Sequence, residues 1–124
     1  VFILGPGELH LKNEIENYVG DALFPLQDLQ VVPSVLQTIA IAERLCLAVS
    51  NDCGGGHMMA AADIPLVSLF GPTSPDKVRP LVTKGKVIRS QDFGGETMEA
   101  IPVDNVYSVV LSMLESLSKA DCKI

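Results

Sequence analysis

The sequence predicts an α/β domain with a Rossmann-like, doubly wound parallel sheet of about five strands and helices on both faces. Short apolar runs alternate along the chain with segments of helical periodicity, a pattern typical of repeated βα units. The run Leu45–Ser50 is almost wholly apolar without alternation, as expected of a central strand covered on both faces. The length of 124 residues is that of one ordinary domain.

Each element follows from a local pattern. The predicted strands are Val1–Leu4, Leu29–Val32, Leu45–Ser50, Leu66–Phe70 and Lys86–Arg89. The predicted helices are Glu8–Val19, Ser34–Arg44, Gly54–Ala62 and Val103–Ser118. Ser34 and Gln37 have the spacing of a capping box, which predicts where the second helix begins. In such a fold a ligand binds beyond the carboxyl ends of the strands.

The composition excludes several classes of partner. A hydrophobic fraction of 48% with 19% charged residues is typical of a compact globular protein. The net charge of −6 and the absence of Trp argue against a nucleic-acid partner, because nucleic acids attract basic surfaces and stack on aromatic rings. The negative net charge does not prevent the binding of a small anion, since backbone N–H groups at a helix N-terminus can bind phosphate in an acidic protein.

The cysteines and the start of the chain bear on where the protein resides. Cys46, Cys53 and Cys122 lie far apart and form no CxxC pair, so we expect neither a disulfide framework nor a zinc site. No apolar run approaches the roughly 20 residues of a membrane-spanning helix, and no signal peptide is recognisable, which predicts a cytoplasmic protein. The chain opens at Val1 inside an apolar run, which we interpret as one domain of a longer protein.

The most informative segment joins the central strand to the next helix. Asp52 ends the strand, three consecutive glycines follow, and His57 stands at the start of the helix. Glycines let a ligand approach the backbone closely, and the helix start offers unpaired N–H groups to a diphosphate. Asp52 can accept hydrogen bonds from sugar hydroxyls, and His57 can donate one to phosphate. The segment therefore predicts a nucleotide-sugar site.

Each of these residues also has a structural interpretation. The glycines form a tight strand-to-helix connection in that alternative, His57 caps the helix, and Asp52 serves as a turn residue. Glu8 is favoured by the helix dipole in the first turn of its helix, whatever it binds.

Several motifs in this order resemble the family 9 glycosyltransferases, which include the ADP-heptose:lipopolysaccharide heptosyltransferases. The residues that carry the resemblance are Asp52-x-Gly54-x-x-His57, Ala60-Ala61, Ile64-Pro65, Leu69-Phe70-Gly71-Pro72-Thr73 and Pro75. The resemblance extends over essentially the whole chain, because the upstream helix and strand and the final helix also look like the last domain of the family.

The resemblance implies the C-terminal, donor-binding domain of a GT-B enzyme over residues 1–124, with inversion at the sugar and no metal ion or other cofactor. Asp52 would contact the transferred sugar, and Cys53, Gly54 and His57 would face the diphosphate. The remaining implied contacts are Glu8 on the ribose, Val32 and Pro33 beside the base, and Thr73 near the phosphates. No catalytic residue is implied in this chain, because the catalytic carboxylate of the family belongs to the N-terminal domain.

The implied partners are an ADP-heptose donor, a glycolipid or glycan acceptor bound through the other domain, and a peripheral contact with the cytoplasmic face of the inner membrane. Two positions depart from the family pattern. Cys53 stands where the family usually has Ser or Thr, and Gly55-Gly56 where it often has Pro-Met.

The alternatives to a glycosyltransferase domain are a UDP-N-acetylglucosamine 2-epimerase-like domain, whose D-S-G-G loop resembles residues 52–55, and a nucleotide-binding module without chemistry.

Overall fold

The computed structural model describes residues 1–29, 32, 34–118 and 120–122. Within them, three parallel strands form one sheet in the order β1, β2, β3. The strands are β1 (Ala48–Asn51), β2 (Leu66–Phe70) and β3 (Gly85–Arg89). Parallel pairing places the carboxyl ends of all three strands at one edge of the sheet and their amino ends at the opposite edge.

Six α-helices and three 3₁₀ helices accompany these strands in the described part of the chain. The α-helices are α1 (Lys12–Tyr18), α2 (Pro25–Asp28), α3 (Val35–Ala42), α4 (Gly54–Ala61), α5 (Pro75–Val78) and α6 (Val103–Ser116). The 3₁₀ helices are Pro6–Leu11, Ser90–Phe93 and Met98–Ala100.

Two apolar clusters cover opposite faces of the central strand β2. Leu66 packs with Met59 of α4 and with Ala42, the last residue of α3. Its neighbour Val67 packs with Met113 of α6 and belongs to the second cluster. Successive residues of a strand point to opposite faces of the sheet, so α3 and α4 form one helical layer and α6 the other.

The predicted α/β class with a parallel sheet is confirmed, and the strand Leu66–Phe70 has the predicted bounds. The predicted count of five strands is not reached among the described residues. Their order also lacks the reversal that defines a doubly wound sheet. The strand predicted at Leu45–Ser50 begins later, at Ala48, because Leu45 N–H still closes the last turn of α3 by donating to the carbonyl of Ala42. Its predicted central position is wrong, because among the described residues β1 lies at the side of the sheet and β2 is the middle strand.

The predicted strand Val1–Leu4 is wrong. The backbone of this segment is hydrogen-bonded to the region of α2 and not to a strand. Phe2 N–H donates to the carbonyl of Leu23, in the loop before α2, at 2.8 Å. The side-chain amide of Gln27 donates to the carbonyl of Leu4 at 3.3 Å. The predicted strand Leu29–Val32 falls on Gln30 and Val31, which lie outside the described residues, while Leu29 is the C-cap of α2.

The first predicted helix is divided in two. A 3₁₀ helix begins after Gly5 with Pro6 in its first position, and α1 follows it from Lys12. The carboxylate of Glu8 accepts a hydrogen bond of 2.8 Å from Gly5 N–H, which closes a tight turn at the start of the 3₁₀ helix. The helical period extended to Glu8 in the sequence, but proline and this short-range bond favour the tighter helix.

The expectation of no disulfide is also wrong, because Cys46 is bonded to Cys122. The two residues are separated by 76 positions and their Cα atoms lie 4.4 Å apart. The chain that follows α6 returns to the residues preceding β1, so tertiary packing joins two cysteines that no sequence spacing relates. Cys53 is free and exposed.

The capping box of α3 is formed as predicted and gives a first test. Ser34 Oγ accepts from Gln37 N–H at 3.2 Å, and Gln37 Oε1 accepts from Ser34 N–H at 3.1 Å. We expect Ser34→Ala to lower the free energy of unfolding by about 1 kcal/mol in urea denaturation, because a helix N–H loses its acceptor. Ser74→Ala is the matched control, since Ser74 begins α5 without a side-chain cap bond. Equal losses in both variants would contradict the role of the capping box.

The glycines that open α4 give a second test. A Cβ on Gly54 would meet nothing within 4 Å, whereas one on Gly56 would lie 3.1 Å from Ser50 Oγ and 3.2 Å from Pro80 Cγ. We expect Gly54→Ala to raise the free energy of unfolding by about 0.5–1 kcal/mol through helix propensity. We expect Gly56→Ala to lower it by about 1 kcal/mol, because crowding outweighs that gain. Thermal melts of the two variants measure the difference, and equal stability would contradict the close packing of Gly56.

Candidate functional site

A cleft of about 570 Å³ runs along the outer edge of β1. One wall is the chain from Leu45 to Asn51, which contains β1. The opposite side is formed by residues 1–3 and by Val110 and Leu114 of α6. The cleft, which we name the β1 cleft, has a volume in the range of small-molecule sites.

The carboxyl end of the β1 cleft lies at the start of α4, where Cys53 and Gly55 line it. Cys53 is the N-cap of α4 and has an extended backbone with φ −155° and ψ 173°. Its side chain makes no cap hydrogen bond in the described structure. The first N–H groups of a helix have no partner within it, so those of Gly54 and Gly55 can bind an anion there.

The glycine run is explained by crowding on one side and open space on the other. Gly56 is buried against Ser50 and Pro80, so that a Cβ there would crowd both side chains. Gly54 is exposed, and the space into which a Cβ would point is empty. The run therefore seats the helix start tightly behind β1 while leaving its first turn accessible to a ligand.

The thiol of Cys53 occupies the rim between the strand and the helix. Its Sγ lies 3.7 Å from Ser50 Oγ, and that hydroxyl is 2.9 Å from the carbonyl oxygen of Asn51, to which it donates. The exposed thiol is only a weak donor, so this position recognises an anion less strongly than a hydroxyl would.

Glu8 and Cys53, two of the residues singled out in the sequence, line the same cleft. The turn after Gly5 directs Glu8 towards the cleft, and one of its carboxylate oxygens is engaged by Gly5 N–H. A carboxylate and a helix N-terminus that line one cleft offer an acceptor for hydroxyl groups and a donor site for phosphate to the same ligand.

Asp52 and His57 flank the carboxyl end of the cleft but are not part of its lining. Asp52 is half-buried directly after β1, and His57 is exposed in the first turn and a half of α4. Both positions follow from the strand-to-helix connection. Their side chains can reach a ligand that extends beyond the cleft along the edge of the sheet.

The loop after β2 approaches the same edge of the sheet. Asn51 pairs in register with Leu69, so Asp52 and Gly71 follow neighbouring strands at their carboxyl ends. The carbonyl of Gly71 accepts hydrogen bonds from Ser90 Oγ at 3.1 Å and from the side-chain amide of Gln91 at 2.8 Å, which anchor the loop. Thr73 is exposed and does not line the β1 cleft.

The structure does not bring Val32 to the cleft, and its side chain is 87% exposed. Pro33 lies outside the described residues. Sequence analysis missed the apolar side of the cleft, formed by residues 1–3 and by Val110 and Leu114. The sequence pattern predicted the helix at Val103–Ser118, but it carried no signal that one flank of this helix would face a cleft.

Two further features are absent from the described residues. No group of three or more His, Cys, Asp or Glu side chains is placed to hold a metal ion there. In the same part of the chain, none of the helices combines the length and the hydropathy needed to cross a bilayer.

Comparison with known proteins places the chain in a family. Residues 22–100 match glycosyltransferase family 9 (heptosyltransferase), and the matched region includes the Asp52–Thr73 segment. No solved structure shows a significant match.

Three curated proteins illustrate the similarity. Lipopolysaccharide heptosyltransferase 2 of Salmonella typhimurium is 49% identical over 55 residues, which are 44% of this chain and 16% of that protein. Lipopolysaccharide heptosyltransferase 2 of Escherichia coli is 54% identical over 53 residues, 43% of this chain and 15% of that protein. Lipooligosaccharide heptosyltransferase 2 of Haemophilus influenzae is 49% identical over 53 residues, again 43% of this chain and 15% of that protein.

The matched segments thus span 15–16% of the length of these relatives. The family match extends over well more than half of the 124 residues and contains the glycine-rich start of α4. It favours the transferase interpretation of the sequence over the epimerase alternative. The chain belongs to glycosyltransferase family 9, the heptosyltransferase family.

Proposed function

We propose that this chain supplies the donor-binding part of a glycosyltransferase that transfers a heptose from a nucleotide-sugar to lipopolysaccharide. The observation that carries the proposal is the position of the β1 cleft, which ends at the uncapped N-terminus of α4 within the region that matches the family. Three relatives named as heptosyltransferases support the sugar and the acceptor.

The diphosphate of the donor is proposed to bind at the start of α4. The N–H groups of Gly54 and Gly55 point out of the first turn, where the helix dipole favours negative charge. His57 adds a side-chain donor, and Cys53 contributes its thiol at the rim. The acidic net charge of −6 is no obstacle, because backbone N–H groups carry this binding.

The remaining contacts are proposed from the positions of the side chains and from the family resemblance. Asp52, after β1, accepts hydrogen bonds from the hydroxyls of the transferred sugar. Glu8, which lines the cleft, accepts from the ribose. The family resemblance alone assigns Thr73 to the phosphates and Val32 and Pro33 to the base, since neither Thr73 nor Val32 lines the β1 cleft.

The chemistry proposed for the whole enzyme follows the family. The reaction is inverting and independent of metal ions, with ADP-heptose as donor, at the cytoplasmic face of the inner membrane. The general base is supplied by a second domain that binds the acceptor, and residues 1–124 form the domain that holds the donor. The role of this chain is then to bind and orient the nucleotide-sugar.

The binding site is tested by titration calorimetry of the 124-residue chain with ADP and with ADP-heptose. We expect His57→Ala to weaken the binding of both ligands by about 1–3 kcal/mol, roughly a 5- to 150-fold increase in Kd, because the diphosphate loses a hydrogen-bond donor. Asp52→Asn should weaken the binding of ADP-heptose and leave the binding of ADP almost unchanged, because Asp52 is proposed to contact only the sugar.

Matched controls exist for both variants. His10→Ala removes the second of two histidines, which is exposed outside the lining of the cleft, and Asp104→Asn removes an exposed carboxylate in the first turn of α6. Neither should change binding. Equal losses for both ligands in both test variants would contradict the division of roles, and tighter binding of UDP or GDP than of ADP would contradict the proposed nucleotide.

Transfer itself gives a separate test. Incubated with ADP-heptose and a heptose-deficient lipopolysaccharide, the 124-residue chain is expected to bind the donor without transferring heptose. General-base catalysis typically contributes ~10²–10⁴-fold, and positioning of the two substrates contributes more. Transfer by this chain alone would show that it holds the base, and Asp52 would be the first candidate.

A further inference from the structure

The chain that follows α6 crosses the amino ends of all three strands. We name this segment the C-terminal strap; its described residues are Leu117, Ser118 and Ala120–Cys122. Cys122 is bonded to Cys46, which lies two positions before β1. Ala120 and Asp121 line a cavity of about 190 Å³ together with residues that directly precede β2 and β3, among them Pro65 and Lys84.

One attachment of the strap is ionic. Asp121 accepts from Lys84 Nζ at 2.7 Å, and also from the N–H and hydroxyl of Ser118 at 2.7 and 2.8 Å. These bonds, with the one from Lys84 foremost, lower the pKa of Asp121 from its ordinary 3.8 to about 2. The Lys84 side chain is 46% exposed, and an exposed ion pair of this kind contributes little to stability.

The other attachment is covalent. The Cys46–Cys122 bond closes a loop that contains all three strands, α4 and α6. A link across so long a loop restricts the unfolded chain strongly. Cys46 and Cys122 are both half-buried, so a small thiol can reach the bond.

The strap also borders the β1 cleft. Cys46 lines the amino end of this cleft, and Val110 and Leu114 of α6 line its side, just ahead of the strap. The disulfide therefore ties the end of α6 to the start of β1, the two elements between which the cleft lies.

We propose that the Cys46–Cys122 disulfide is a redox-controlled latch that holds the C-terminal strap across the amino ends of the strands. A dithiol reductant opens the latch: it forms its own cyclic disulfide, and each cysteine gains one hydrogen. Oxidised glutathione closes it again, taking two electrons and two protons and leaving two molecules of glutathione. In reducing compartments, disulfides of this kind are transient and redox-sensing. The inference does not depend on the proposed function, because it requires no ligand.

The first experiment compares the 124-residue chain equilibrated with oxidised glutathione and with dithiothreitol. Alkylation under denaturing conditions should leave Cys46 and Cys122 unlabelled and free of glutathione in the first sample, where Cys53 is alkylated or carries one glutathione, and should label all three cysteines in the second. We expect the Tm of the reduced protein to be lower by on the order of 10 °C, because the unfolded chain regains the freedom that the loop removes. Digestion by a carboxypeptidase should remove the C-terminal residues at least ~10-fold faster after reduction, because the strap is then held only by weak contacts.

Two variants isolate the latch. Cys122→Ser should melt at the temperature of the reduced wild type and should no longer respond to dithiothreitol. Cys53→Ser is the matched control, because this cysteine is free and lies beyond the opposite end of β1, and its response should equal that of the wild type. Lys84→Met removes the ionic attachment and should retain the full redox response.

Three labelled cysteines after oxidation would overturn the proposal, as would a Tm that dithiothreitol leaves unchanged. The comparison of the oxidised and the reduced wild type needs no substitution. It therefore tests the proposal even where Cys122→Ser fails to fold. Equal rates of carboxypeptidase digestion in the two redox states would show that the bond does not hold the strap.

Discussion

Parallel pairing of β1, β2 and β3 is the constraint on which the rest of the structure depends. All three carboxyl ends of the strands therefore lie at one edge of the sheet, and all three amino ends lie at the opposite edge. The segment from Asp52 to Gly56 and the loop after β2 lie at the carboxyl ends of the strands. The disulfide and the Lys84–Asp121 ion pair lie at the amino ends. The start of α4 and the disulfide therefore lie at opposite ends of β1, and the β1 cleft extends from one to the other, since both Cys53 and Cys46 line it.

The start of α4 shows how packing and binding share one short segment. Gly56 must be small because Ser50 and Pro80 lie against it, and this contact fixes how the helix sits behind β1. Gly54 has no such neighbour, and its side faces open space. The N-cap residue Cys53 offers only a weak thiol donor, so more of any anion binding rests on the backbone. This geometry accounts for a glycine-rich start in a helix of only eight residues.

The β1 cleft exists because the apolar segment at residues 1–3 lines the space beside β1 without forming a strand against it. Its backbone bonds to the loop around Leu23, which leaves the outer edge of β1 without a strand beside it among the described residues. α6 contributes a second apolar flank, because Val110, which packs against the core, and Leu114, which is exposed, both line the cleft. A site with apolar sides and polar groups at one end suits a ligand with a flat base and a charged diphosphate.

The sequence by itself determined the elements whose signals are local. The capping box of α3 and the strand Leu66–Phe70 depend on residues a few positions apart, and both formed where the pattern predicted them. The glycine run likewise marked the start of α4. Only the tertiary structure decided what Val1–Leu4 pairs with, because strand composition does not specify a hydrogen-bonding partner. It alone joined Cys46 to Cys122 and placed Glu8 on the same cleft as Cys53, since these pairs are distant in sequence and meet only when the packed sheet brings their segments together.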